Sequence, residues 1–251
     1  MSKKYNLEIL VISCDAYSDV WDVFFKSFHK QWINCPLKLN LLSNHKSYSS
    51  KKINTIKVGE DLSWSDNLLK GIEKLNYDYV LLLIDDVLFR SKISNDYFNQ
   101  ISNWVNENKP NYLRLCISHQ PDYFDELIGK IPKITPYKTS TMPCIWKKAI
   151  LKDLLKKGES AWDFEQKGSI RAYKYDGFYA VYNNFITYKN GIIKGKWRRS
   201  LVKNNNNYDL NVRDLSRPIM TFKEEYEYSF RKFRSVLFNK LPNNLREFLK
   251  K

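Results

Sequence analysis

Alternation of strand-length and helix-length segments is the feature of this sequence that most constrains its fold. Residues 7–13 form a continuous apolar run, and residues 19–32 repeat bulky apolar side chains at helical spacing. Further strands are predicted at 37–43 and 79–85, with a helix between them at 63–75 that opens on a serine cap. This order predicts an α/β fold with a mainly parallel, doubly wound sheet and flanking helices.

The middle of the chain continues the alternation less regularly. We expect a helix at 96–108, a strand at 112–118, an amphipathic helix at 145–158 and an aromatic, strand-like segment at 178–193. Prolines between residues 119 and 145 argue against any long element there.

A polar stretch separates the predicted domain from a tail. We expect one domain over residues 1–203, a linker over 204–220 and a helical tail over 221–251. The tail places five apolar side chains on one helical face: Phe222, Tyr226, Phe230, Phe233 and Leu237. It also carries positive charges at Arg231, Lys232, Arg234 and Lys240. Such a helix can lie on an anionic membrane, or pack on its own core or on a second subunit.

Charge and composition limit the class of partner. The formal net charge of +15 favours anionic partners, including nucleic acid, nucleotide phosphates, lipid pyrophosphates and acidic membrane surfaces. The four cysteines are widely spaced, as in a protein with reduced thiols. No apolar run approaches the ~18 to 20 residues of a membrane span, and the amino terminus is typical of a first strand. We therefore expect a cytoplasmic protein whose membrane contact, if any, is peripheral and at the inner face of the plasma membrane.

Two adjacent acids, Asp85 and Asp86, follow the most apolar strand. Asp15 and Tyr17 follow the first strand, and ligands of doubly wound sheets collect beyond the carboxyl ends of strands. A single Asp at such a position is often a cap or turn residue. Two neighbouring carboxylates, however, repel each other and raise at least one pKa unless a cation or donor compensates. A divalent metal carrying a diphosphate would supply that compensation.

Four segments, taken in order, resemble one enzyme family. They are CDAYSDVW at 14–21, WSDNLLKGIEKLNYDYVLLLIDDVLF at 64–89, WDFE at 162–165 and KGKW at 194–197. Together they are similar to bacterial nucleotide-sugar glycosyltransferases with the GT-A fold, of the kind that build capsule, O-antigen or lipooligosaccharide. The resemblance covers roughly residues 5–200. It implies a GT-A-like, Rossmann-like sheet and transfer of a sugar from a nucleotide-sugar donor, a UDP-sugar by expectation, to a saccharide or lipid-linked acceptor.

The resemblance also implies a role for the acidic pair. In the family the acids after the central strand hold a divalent metal, Mn²⁺ or Mg²⁺, and the donor diphosphate, and that role falls here on Asp85 and Asp86. The chain has adjacent acids in place of the family's Asp-x-Asp pattern. Asp86 alone can therefore reach the ion while Asp85 touches ribose or sugar hydroxyls, and metal dependence stays open.

The segment ESAWDFEQ offers candidates for the catalytic base. An inverting transfer needs a base for the acceptor hydroxyl, and related enzymes have a carboxylate in this region. Asp163 and Glu165 would point in different directions from a helix, so at most one serves. We favour Glu165, with Asp163 second and Glu159 as a cap or surface acid. The alternative is that all three complement a helix amino terminus.

Other residues are expected to bind the donor. Asp15 can accept from a nucleobase imide or a ribose hydroxyl, Tyr17 can stack on the base, and Asn44 follows the second strand at the same rim. Lys196 and Arg198 are expected to neutralise the leaving diphosphate, unless they belong to a solvated basic face.

A nucleic-acid-binding protein is the main alternative. The positive charge and the 15% of aromatic residues would serve phosphate and stacking contacts. That interpretation does not explain acids gathered at strand ends, and the chain has no recognised nucleic-acid motif. We therefore expect no nucleic-acid partner.

Overall fold

The computed structural model describes residues 5–117, 120–203 and 215–240, without the side chains of 235–240. The chain divides into two compact units, Met1–Lys189 and Asn190–Lys251. The predicted linker falls largely outside the described residues, and the predicted domain boundaries stay predictions.

The first unit holds most of the regular structure. Its strands are β1 (Leu7–Ile12), β2 (Leu39–Ser43), β3 (Ile53–Lys57), β4 (Tyr79–Ile84), β5 (Val87–Phe89), β6 (Tyr112–Arg114), β7 (Asp122–Tyr123), β8 (Ile128–Lys130), β9 (Cys144–Lys147), β10 (Phe178–Val181) and β11, which runs Tyr188–Asn190. Its helices are α1 (Trp21–Gln31), α2 (Trp64–Glu73), α3 (Asn95–Asn108), α4 (Lys148–Leu154), α5 (Ala161–Asp163) and α6 (Ser169–Arg171), the last two joined by a π-helical turn over Phe164–Gly168.

A nine-stranded sheet organises this unit, in the order β3-β2-β1-β4-β9-β6-β10-β8-β7. Strands β3, β2, β1 and β4 are mutually parallel, as are β6 and β10. Strand β9 runs antiparallel between β4 and β6, so β6 keeps the direction of β4. The predicted α/β fold with a mainly parallel sheet is confirmed.

Apolar side chains alternate between the two faces of the sheet, which explains the double layer of helices. Along β1, Ile9 and Val11 pack into one core, whereas Leu10 and Ile12 pack into the other. The first core includes side chains of α1 and α3, and the second includes side chains of α2 and α4. Because both faces are covered, β1 is buried along its whole length, as its apolar sequence, interrupted only by Glu8, predicts.

Three sequence predictions need correction, and one strand was not predicted. The predicted helix over 145–158 begins as a strand, β9, and is helical only from Lys148, because Ile145 and Trp146 pair with strands on both sides. The predicted strand over 112–118 ends at Arg114, and the one over 178–193 is broken after Val181. Strand β3 was not predicted, because INTIK has only two buried side chains.

The second unit begins with a short hairpin of β12 (Ile192–Ile193) and β13 (Lys196–Trp197). Its turn residues, Lys194 and Gly195, have φ values of 50° and 75°, as a two-residue type I′ turn requires. Helices α7 (Arg199–Lys203) and α8 (Phe222–Lys240) complete the unit. None of the described helices is both long enough and apolar enough to cross a membrane.

Candidate active site

A pocket of about 230 Å³ opens at the carboxyl ends of β1 and β4. In register, Ile12 pairs with Ile84, so the residues that follow these strands leave the sheet side by side. The lining residues are Ile12, Ser13, Cys14, Tyr17, Asp61, Trp64, Asn67, Ile84, Asp85 and Asp86. The structure therefore brings three predicted residues, Tyr17, Asp85 and Asp86, into one pocket.

Asp85 is held from the core side of the pocket. Its side chain is buried, and the Ser13 hydroxyl donates a short hydrogen bond to its Oδ2. Trp21 Nε1, on α1, donates in turn to Ser13 Oγ at 2.6 Å. This relay fixes the orientation of the Asp85 carboxylate.

Asp86 is the less compensated of the two acids. Burial raises its pKa to about 6, against a smaller opposing effect of its own backbone N–H. No other described residue hydrogen-bonds to its side chain. Within the described ranges, no three His, Cys, Asp or Glu residues are grouped to hold a metal. The acidic pair has the donor chemistry of a hard cation site, but a cation here would need further oxygen ligands from a bound molecule.

Asp15 and Asn44 connect the ends of β1 and β2 and do not line the pocket. The Asp15 carboxylate accepts from the backbone N–H groups of Asn44, His45 and Lys46, and Asn44 Oδ1 accepts from the Asp15 backbone. Burial opposes ionisation of Asp15, but these backbone donors outweigh it and lower its pKa. Direct donor binding by this pair stays a prediction, since both side chains already shape the loop.

Sequence reasoning missed several residues on the far wall of the pocket. Asp61 follows β3, and Asn67 Nδ2 on α2 donates to its Oδ1 at 2.6 Å. Trp64 faces the pocket and also packs on Phe164, with ring centroids 5.5 Å apart. The signal for Asp61 was its position after a strand, and it was lost because that strand was not recognised.

Glu165 lies on the π-helical turn and is anchored to the segment that enters β9. Its Oε1 accepts from Thr141 N at 2.7 Å, from Thr141 Oγ1 at 2.9 Å and from Ser140 Oγ at 3.2 Å. Thr141 lies three residues before β9, whose first residue, Cys144, pairs with Leu82 of β4. Glu165 is therefore anchored to the segment that enters β9, and it is not among the residues that line the pocket.

Asp163 has a different environment, although it is only two residues away. It forms a capping box with Ser160, and Lys167 Nζ contacts its Oδ1 at 2.7 Å. Hydrogen bonds from Lys167 and Ser160 lower the pKa of Asp163 to about 2, which weakens it as a base. Glu159 was expected as a cap or surface acid, and the surface alternative is wrong: it is buried and pairs with Arg171 through both carboxylate oxygens.

Lys196 and Arg198 lie in the second unit, where each pairs with an acid of α8. Lys196 Nζ is 2.5 Å from Glu224, and Arg198 Nη2 is 2.6 Å from Glu225. Their predicted contact with a phosphate stays a prediction.

Comparison with known proteins finds similarity at the level of the fold. No protein-family model matches the chain, and no curated protein matches it by sequence. A crystal structure of residues 1–349 of S. aureus TarS has a TM-score of 0.51 and 12% identity, covering 72% of this chain and 59% of that one. The same fragment in complex with UDP has a TM-score of 0.48 and 12% identity, covering 69% and 59%. A UDP-glucose pyrophosphorylase complexed with UDP-glucose has a TM-score of 0.49 and 8% identity, covering 73% and 92%. The chain thus shares the fold of TarS and spans less than two thirds of the TarS fragment.

Proposed function

We propose that the chain is an inverting glycosyltransferase that moves a sugar from a UDP-sugar to a saccharide or lipid-linked acceptor in bacterial surface polysaccharide synthesis. The observation that carries the proposal is the pocket at the carboxyl ends of β1 and β4, where aromatic walls meet Asp85 and Asp86. An aromatic wall suits a nucleobase, and carboxylates with a cation suit a diphosphate. A nucleotide diphosphate has both groups.

In the proposed complex the two ends of the donor contact different lining residues. The base would stack on Tyr17 or Trp64 and meet the polar groups of Asp61 and Asn67, and the diphosphate would lie towards Asp86. TarS, whose fold the chain shares, has been solved in complex with UDP and with UDP-GlcNAc. Those ligands are the reason for choosing uridine as the nucleoside.

A divalent cation, Mn²⁺ or Mg²⁺, would be held by Asp86, with Asp85 beside it. Asp85 is already oriented by Ser13. Burial makes ionisation of Asp86 unfavourable, and a bound cation would stabilise its charged form. When bound, the cation would neutralise negative charge on the leaving diphosphate.

Transfer needs one proton acceptor, and we assign that role to Glu165. Its hydrogen bonds go to Oε1, so Oε2 is left to accept the proton of the acceptor hydroxyl. As the acceptor oxygen bonds to the anomeric carbon from the opposite face, the bond from that carbon to the phosphate oxygen breaks. The nucleoside diphosphate leaves with the electron pair, and the anomeric configuration inverts.

Calorimetric titration with UDP, GDP and CMP, each with and without Mn²⁺, tests the proposal. We expect Mn²⁺-dependent binding of UDP that is lost in Asp86→Asn and kept in Asp163→Asn, a matched change of an acid outside the pocket. Absence of nucleotide binding by the folded wild type would overturn the proposal. Salt-sensitive binding of random oligonucleotides would then favour a nucleic-acid-binding protein.

A further inference from the structure

Helix α8 presents two chemically different faces. One face carries Glu224, Glu225 and Tyr228, which contact the hairpin of the same unit. Glu224 and Glu225 pair with Lys196 and Arg198, and the Arg198 guanidinium lies 4.8 Å from the centre of the Tyr228 ring. The helix is therefore docked within its unit through its polar face.

The other face is an aromatic stripe that is exposed to solvent. Its described members are Phe222, Tyr226, Phe230 and Phe233, with exposed fractions of 67%, 71%, 53% and 61%. At 3.6 residues per turn the four lie within an arc of about 80°. Tyr226 and Phe230 stack at 6.3 Å. Leu237, also predicted on this face, lies where side chains are not described.

Cations flank the aromatic stripe. On the helical wheel Lys223 and Arg234 lie beside the stripe, with Glu227 next to Arg234. At the start of the stripe, Arg199 and Lys203 of α7 lie 4.4 and 4.7 Å from the centre of the Phe222 ring. None of these four cations forms an ion pair with an acid among the described residues. A second copy of the helix would bring these like charges together, whereas an anionic surface would neutralise them. The charge around the stripe thus favours a negatively charged occupant.

We propose that α8 lies on an anionic phospholipid bilayer through this aromatic stripe. The rings enter the boundary between headgroups and acyl chains, where the Tyr226 hydroxyl stays hydrated, and the four cations contact lipid phosphates. Aromatic rings and flanking cations at a helix surface are the combination that interfacial binding uses, and neither contribution alone gives stable attachment. The attachment does not depend on the reaction that the first unit performs.

Vesicle co-sedimentation of the full chain tests this attachment. We expect binding to phosphatidylcholine vesicles that contain phosphatidylglycerol, weak binding to phosphatidylcholine alone, and loss of binding as salt is raised. Tyr226→Ser with Phe230→Ser should weaken binding at least about tenfold, and so should Lys223→Glu with Arg234→Glu. Matched controls are Ile134→Ser, an exposed apolar side chain of the first unit, and Lys52→Glu with Lys92→Glu; both should bind as the wild type does.

Two outcomes would overturn the proposal. One is equal binding of wild type and α8 variants to the anionic vesicles, with circular dichroism showing that the variants are folded. The other is a dimer in light scattering that both sets of α8 variants dissociate and the controls do not, since the occupant would then be a second copy. Because these measurements need no nucleotide, their failure is distinct from failure of the proposed transferase function.

Discussion

Two carboxylates at opposite ends of the β1 and β4 pair differ in the number of hydrogen-bond donors around them. At the amino end, the buried Glu8 accepts hydrogen bonds from the backbones of Asn76 and Tyr77, at 2.6 and 3.1 Å, and from Asn40 Nδ2 at 2.9 Å. At the carboxyl end, Asp86 has no such set of donors, and burial raises its pKa to about 6. A satisfied acid stabilises the fold, whereas an uncompensated acid indicates a place for a ligand.

The largest expected effect concerns Glu165, the candidate base. Glu165→Gln should keep nucleotide binding and lower kcat by about 10² to 10⁴, because glutamine cannot accept the proton at physiological pH. Steady-state rates with a competent acceptor, together with calorimetry, would measure both. Full activity of the variant would remove Glu165 as the base.

Replacing the two carboxylates by amides should change the stability of the protein in opposite directions. Glu8→Gln should destabilise the protein by about 1 to 3 kcal/mol, because the new amide would face the Asn40 donor. Asn40 cannot simply reverse its own amide, since its Oδ1 accepts from Asn54. Asp86→Asn should instead raise the free energy of unfolding by up to roughly 3 kcal/mol at pH 7, less where pocket water screens the charge. Urea titration of both variants measures the two changes in the free energy of unfolding. If both variants were destabilised, the predicted difference between the two carboxylates would be wrong.

The pH dependence of stability sharpens the same comparison. The pKa of Asp86 is higher in the folded chain than in the unfolded chain, so the folded state holds the proton more tightly. Its stabilising contribution is present below about pH 4 and is lost as pH rises to about 6. The stability of Asp86→Asn relative to wild type should therefore grow across this window and then level off. A difference that stays constant with pH would contradict the raised pKa.

The smallest effect is expected at Asp163. Asp163→Asn keeps an amide oxygen for the capping box but loses the ion pair with Lys167, so the melting temperature should fall only slightly. Turnover should be unchanged. A large loss of turnover with intact folding would make Asp163, and not Glu165, the candidate base.

The fold was predictable where a segment's own pattern decided its structure. Strands β1 and β4 are apolar except for Glu8, because both faces are covered, and α2 opens on the Ser63 cap that the sequence predicts. Strand β9 was not predictable in this way, because its residues share a helical pattern with α4. Only pairing with β4 and β6, distant in sequence, makes it a strand.

The candidate site was predictable in part for the same reason. Asp85 and Asp86 were recognisable because paired charges interrupt an apolar run. Asp61 and Asn67 were missed because their place at the pocket depends on β3 and α2 meeting there. The partners of Lys196 and Arg198 are acids on α8, and no local pattern connects them.

The position of β4 has a consequence for synthesis of the chain on the ribosome. Tyr79 pairs with Leu7 on one side and with Lys147 on the other. At a rate of ~5 to 20 residues per second, β9 follows β4 out of the ribosome after roughly 3 to 13 s. During that interval the most apolar strand of the nascent chain has an unpaired edge, the kind of surface that chaperones bind. The strand that leads to the acidic pair is therefore open to wrong pairing until β9 has been synthesised.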